Sequence, residues 1–173
     1  MRLFIAINLN NGTKESLLAL RDELRSRSKR GNFCFPENLH LTLAFLGECN
    51  DIEAASAKTV MNSMSFIPFS VIIDHVGQFK RYGGDIWWAG IHNNKPLLDL
   101  QYTLTEKLIS AGFGLDKRKY TPHVTLGRDV ETNEAPWEIK PFGETVPSIE
   151  LMKSEKINGK LTYTALYFKS AAT

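Results

Sequence analysis

The chain reads as an α+β fold of two similar lobes, each an antiparallel sheet with helices outside, set around a central cleft. Three observations lead there. Short β-prone apolar runs bounded by turn residues alternate with stretches of helical period. The connections between them are short, with no linker or low-complexity tract. And one strand-like element, His-apolar-Thr-apolar, occurs twice, early in the chain and again well past its middle, as if each half of a duplicated unit carried one copy.

Taken in order, residues 2 to 9 read as a buried strand, and Gly12-Thr13 opens a helix with Leu17, Leu20 and Leu24 at helical spacing. That helix is expected to end in the basic cluster Arg25, Arg27, Lys29 and Arg30, whose cations suit a helix C-terminus and offer a second use as a landing patch for phosphates. Residues 33 to 35 and 40 to 46 read as strands, and Asp51 caps a weaker helix running to about Met64. Pro68 breaks the pattern. Strands at 69 to 76 and 86 to 92 follow, joined around Tyr82-Gly83-Gly84. Lys95-Pro96 starts the clearest helix, with Leu97, Leu100, Leu104 and Leu108 on one face and Gly112 as its stop. A strand at about 122 to 128 comes next. After a Pro-rich passage (Pro136, Pro141, Pro147), strands at 148 to 155 and 161 to 168 form a hairpin turned at Asn158-Gly159.

The duplicated element is His40-Leu41-Thr42-Leu43 in the first half and His123-Val124-Thr125-Leu126 in the second. Side chains alternate along a strand, so His40 and Thr42 share one face while Leu41 and Leu43 pack behind them. His123 and Thr125 repeat that layout over Val124 and Leu126. One such motif arises by chance in roughly one chain in thirty of this size, and two in on the order of one in a thousand. Two imidazoles that titrate near neutrality can serve as base and acid in one cycle, and two hydroxyls can donate to anionic oxygens in the transition state. A phosphodiester needs that set: an activated nucleophile, a protonated leaving oxygen and neutralised non-bridging oxygens.

At these residues the chain resembles the two-histidine phosphoesterase superfamily, and within it the RNA 2′,3′-cyclic phosphodiesterases, long called 2′-5′ RNA ligases. The likeness extends to Met1-Arg2-Leu3-Phe4-Ile5-Ala6-Ile7 as an opening strand and to Phe35-Pro36-Glu37-Asn38-Leu39 as the lead-in to the first His. It also includes Phe79 with Trp87-Trp88 and Gly90 as a central hairpin, and Tyr120-Thr121-Pro122 before the second His. It covers the whole chain as one two-lobed domain, residues 1–173. The resemblance implies a metal-independent phosphodiesterase that opens 2′,3′-cyclic phosphates on RNA ends, tRNA-like fragments among the candidates. His40 would protonate the leaving 3′-oxygen and His123 would activate water, leaving a 2′-phosphate; the reverse reaction would ligate a 5′-hydroxyl. It also implies phosphate contacts from Thr42, Thr125 and Arg128. Strict alternation sends Arg128 to the opposite face, and Gly127 offers a bulge that brings it round. The sequence itself does not assign acid and base.

The remaining features bound the reading. A length of 173 residues buries a proper core, and a net charge of +2 permits a nucleic-acid ligand without demanding one. Cys34 and Cys49 lack metal-ligand spacing and read as reduced thiols; there is no zinc or phosphate-loop motif, no cofactor site and no signal peptide, so a cytoplasmic monomer with no membrane contact is expected. His75 and His92 lie outside any His-x-Thr pattern and read as structural. Trp87 and Trp88 point to opposite faces of one strand, one into the core and the other available to stack a base. Two rival readings stand beside the first. One is a phosphodiesterase for a small cyclic nucleotide, such as ADP-ribose 1″,2″-cyclic phosphate, or for 2′-5′ oligonucleotides. The other is an RNA-binding module without turnover.

Overall fold

A computed structural model describes residues 1–173, as three helices and nine antiparallel strands. The elements are β1 (Arg2–Asn8), α1 (Asn11–Ser26), β2 (Ser28–Phe33), a short 3-10 turn (Pro36–Asn38), β3 (His40–Glu48), α2 (Asp51–Ser63), β4 (Phe69–Phe79), β5 (Asp85–Ile91), α3 (Lys95–Ser110), β6 (His123–Thr132), β7 (Trp137–Val146), β8 (Ser148–Ile157) and β9 (Lys160–Ser170). The strand order is β7-β4-β5-β6-β3-β1-β8-β9, with β2 also paired to β6. This order has a two-fold pattern. The unit β5-α3-β6 matches β1-α1-β3, β4 and β8 are their outer neighbours, and β7 and β9 are the two edges. The motif strands β3 and β6 sit side by side in the middle, and the halves join there through one bridge, Leu41 to Val124.

Helix starts are set by asparagines. Asn10 caps α1 by accepting from the Thr13 amide, and Asn94 caps α3 by accepting from Leu97. At α2 Asn50, rather than the expected Asp51, is the cap, and Glu53 closes a capping box by accepting from the Asn50 amide. The leucine stripes of α1 and α3 enter one core with Leu3, Ile5, Ile7, Leu41, Val124 and Leu126, so the apolar backs of both motif strands are sealed from water.

Two expectations are corrected. Strand β2 spans Ser28–Phe33 instead of 33 to 35, so Lys29 and Arg30 belong to a strand and not to a helix end. Helix α1 stops at Ser26, Ser28 donates its hydroxyl to the Leu24 carbonyl, and Arg30 reaches across to Glu131 at 2.7 Å. Part of the basic cluster is thereby neutralised within the protein: Arg27 pairs with Glu23, and Arg25 lies over the Phe33 ring. The Pro-rich passage also contains a ten-residue strand, β7, missed because Pro141 sits in its middle. β7 is an edge strand and its register slips at this point, so a missing N–H leaves no ladder bond unmade.

Leu41 is fully buried at the one bridge between β3 and β6. Leu41→Ala is expected to cost about 2–5 kcal/mol of unfolding free energy in urea titration, the usual range for a buried leucine.

Candidate active site

The bridge decides what meets at the centre. In an antiparallel pair with Leu41 opposite Val124, His40 lies across from Thr125 and Thr42 across from His123, all four on the face away from the core. The two sequence motifs are thus interleaved into one imidazole–hydroxyl quartet, each member partly buried.

Both imidazoles are held the same way. His40 Nδ1 is 2.8 Å from the carbonyl oxygen of Asn38, and His123 Nδ1 is 2.6 Å from that of Thr121, in each case two residues upstream. A carbonyl only accepts, so Nδ1 carries a hydrogen in both rings and Nε2 is the nitrogen left for chemistry. Nε2 of His40 is 2.8 Å from Thr42 Oγ1, whereas Nε2 of His123 has no protein partner. Aromatic rings brace each imidazole. His40 sits against Phe4 (4.8 Å between centroids) and edge-on to Tyr163 (5.1 Å); His123 sits edge-on to Phe79 (5.1 Å) and against Trp88 (5.7 Å). Tyr120, on the approach to β6, donates its hydroxyl to the Thr42 carbonyl at 2.7 Å and ties the second motif to the first.

Arg128 reaches this face through a bulge. Trp88 pairs with Thr125 and Trp87 with Gly127, so Leu126 is an extra residue that shifts the alternation by one. Gly127 then shares the face of Trp87, and Arg128 returns to that of Thr125. Its charge acts on both rings. Burial pushes the His40 pKa down to about 4, the Asn38 hydrogen bond opposes this, and His123, Lys14 and Arg128 lower it further. Burial also lowers His123, the Thr121 bond opposes, and Arg128 adds to the fall. Without a bound anion both imidazoles are neutral at pH 7, in a site whose surrounding charges are positive.

The tryptophan expectation is corrected. Trp87 and Trp88 do face opposite ways, but both are buried, Trp88 lying across Gly77 beneath His123, so neither is free to stack a base. Trp88 supports an imidazole instead. The bracing rings Phe4 and Tyr163 were missed in the sequence, because nothing local marks them; register across β1, β8 and β9 brings them to His40. His75 also lies on this face, in register with Gly90 and so in the same row as His123.

A family model described as the 2′-5′ RNA ligase superfamily matches residues 13–156. An RNA 2′,3′-cyclic phosphodiesterase of Methanothermobacter thermautotrophicus is 32% identical over 132 residues, covering 74% of this chain and 71% of that protein. One from Escherichia coli is 28% identical over 167 residues, covering 95% and 93%. Among solved structures, E. coli LigT complexed with 3′-AMP superposes with a TM-score of 0.85 at 26% identity, covering 99% of this chain and 98% of that one.

Depressed imidazoles link stability to pH. Unfolded, both rings titrate near 6.5; folded, they hold out against protonation to lower pH, His40 to about 4. As pH falls below 6.5 the unfolded chain takes up protons first, so stability is full above that pH and lost down toward 4. Urea unfolding at pH 7.5 and pH 5 is expected to show a larger loss for the wild type than for His40→Gln. Equal losses would mean that His40 is not held neutral.

Proposed function

The chain belongs to the 2′-5′ RNA ligase superfamily and is a cyclic phosphodiesterase, a hydrolase, and we propose that it opens RNA 2′,3′-cyclic phosphates to 2′-phosphates by paired-histidine acid–base catalysis without a metal. The observation that carries this reading is the quartet across the β3–β6 bridge, with two Nε2 atoms on one face and Arg128 beside them. A phosphodiester anion placed there meets the Thr42 and Thr125 hydroxyls as donors and the Arg128 guanidinium as counter-charge. Its negative charge also opposes the field that keeps the rings neutral, so substrate itself favours the imidazolium that the leaving oxygen requires.

Acid and base then divide by hydrogen bonding. His123, with Nε2 free, takes a proton from the attacking water. His40, once protonated, delivers its Nε2 proton to the 3′-oxygen; Thr42 holds the ring in line and accepts from that nitrogen until transfer. Water adds its oxygen to phosphorus, the bond from phosphorus to the 3′-oxygen breaks, and the 2′-phosphate remains. Two proton-transfer groups and three anion contacts complete this cycle. With a 5′-hydroxyl in place of water as the nucleophile, the same groups would break the bond from phosphorus to the 3′-oxygen and form a 2′-5′ linkage. Paired imidazoles with opposite duties favour turnover over simple RNA binding.

His40→Ala and His123→Ala are each expected to lower kcat on a cyclic-phosphate-ended oligonucleotide by ~10²–10⁴ with little change in fold. EDTA should leave the rate unchanged, and restoration of a lost rate by one added metal would refute the proposal.

The pH dependence adds a further test. With both free imidazoles depressed, kcat/KM should be bell-shaped with its maximum below neutrality. The kcat profile should lie at higher pH, because bound phosphate raises both rings. A flat response from pH 5 to 9 with chemistry rate-limiting would rule out the two-histidine mechanism.

A further inference from the structure

Beside His40 stands a hydroxyl that the mechanism does not use. Tyr163 is edge-on to the His40 ring, 5.1 Å between centroids, and T-shaped to Phe4 at 5.0 Å. A phenol in such a packed setting usually spends its O–H on a protein acceptor. Tyr120 does so at the Thr42 carbonyl and Tyr167 at Asn62 Oδ1, whereas the Tyr163 hydroxyl, on a residue only partly exposed, has no partner within the protein. It is not sealed in the core either. The side-chain groups buried without a partner are Asn38 Oδ1 and the two indole nitrogens of Trp87 and Trp88, so the Tyr163 oxygen is open to a ligand.

The placement of this phenol is built into the fold. Tyr163 lies near the start of β9, opposite Ser154 of β8. That start is tied to the turn before His40: Asn38 Nδ2 donates to the Leu161 carbonyl at 3.3 Å, and Lys160 Nζ pairs with Glu37 Oε1 at 2.5 Å. The same turn presents the Asn38 carbonyl to His40 Nδ1. One turn therefore positions both the imidazole and the phenol. The rings that brace His123, Phe79 and Trp88, carry no hydroxyl, so this group has no counterpart across the two-fold pattern. It belongs to the His40 side, where the proposed mechanism has the 3′-oxygen leave.

Charge decides what the hydroxyl meets. Burial, then Cys34, push the Tyr163 phenol above its ordinary value, and Arg128 and Arg2 pull it back without cancelling the rise, so it is a protonated donor at neutral pH. Burial likewise keeps Cys34 a neutral thiol. The charges that reach the phenol are then two guanidiniums, one of them the Arg128 that also acts on both imidazoles. A neutral donor in cationic surroundings favours an acceptor that carries negative charge. Resting on the phosphodiesterase reading above, we infer that Tyr163 is a further substrate contact, whose hydroxyl donates a hydrogen bond to a non-bridging phosphate oxygen from the His40 side. It joins Thr42, Thr125 and Arg128 around the anion and keeps its proton throughout. Such a bond strengthens as charge gathers on those oxygens in the transition state.

The test is Tyr163→Phe, which removes the oxygen and keeps the ring against Phe4 and His40. Turnover of uridine 2′,3′-cyclic phosphate is measured beside calorimetric titration of inorganic phosphate and of uridine 2′-phosphate. In the variant, kcat/KM should fall about tenfold and both anions should bind about tenfold more weakly, as one hydrogen bond to a charged acceptor supplies. The urea midpoint, and its change between pH 7.5 and pH 5, should match the wild type, because the bracing of His40 is intact. Unchanged turnover, or unchanged binding of both anions, would overturn the contact. So would a loss confined to uridine 2′-phosphate, which would move the hydroxyl to the sugar, or a shifted pH response of stability, which would reduce Tyr163 to a brace. Failure of the wild type to bind either anion would overturn it too. A wild type that binds both anions but opens no cyclic phosphate would instead sink the function on which the inference rests, while the binding data still decide the contact.

Discussion

The quartet at the centre of the sheet depends on one residue pair, Leu41 against Val124. Each half of the sheet is well paired internally, β3 and β6 pair through this bridge, and its register makes the two motifs one site. Slipping β6 by one residue would turn His123 and Thr125 into the core and Val124 out to solvent. That slip is opposed from behind by the buried Leu41, Leu43, Val124 and Leu126, and from the side by the Tyr120 hydroxyl on the Thr42 carbonyl. Packing on one face of the sheet thus fixes chemistry on the other.

Once the quartet is assembled, its electrostatics follow from where it sits. Partial burial and the Arg128 charge make both imidazoles harder to protonate than free histidine. Hydrogen bonds to the Asn38 and Thr121 carbonyls act the other way but are outweighed. The free site is therefore short of a negative charge and suited to an anion. On the proposed mechanism, substrate binding and the protonation needed for leaving-group departure are one coupled event, and the field that tunes the acid also favours an anion.

The two-fold pattern of strands does not extend to the surfaces beside the imidazoles. Next to His40 lie Phe4 and Tyr163, which pack with Met152 in a small apolar cluster. Next to His123 lie Trp88, then Gly90 under His75, then Asp74 and His92. A duplicated frame with unlike flanks suits the proposed reaction, whose two sides differ, with a leaving sugar oxygen on one and an entering water on the other.

Much of this was legible in the sequence because it depends on local periodicity. Alternation at His40–Leu43 and His123–Leu126, the leucine stripes of α1 and α3 and the Asn158-Gly159 turn all report backbone geometry through nearest neighbours, and the three helices and most strands lie where those patterns put them. Local pattern misled where pairing overrode it. Pro141 disguised an edge strand, and a run of cations disguised β2, whose Arg30 answers to Glu131 a hundred residues away. The placement of two side chains on the imidazole face was decided by tertiary register, although the sequence itself offered a bulge at Gly127 for Arg128. Arg128 faces the imidazoles because Leu126 is an extra residue against β5, and His75 lies beside His123 because Gly90 stands between them. A chain carries its own periodicity in its residue order. The phase between distant strands is set only when they pair, so the sequence by itself determined which side chains were candidates for the chemistry, and the tertiary structure decided which of them meet.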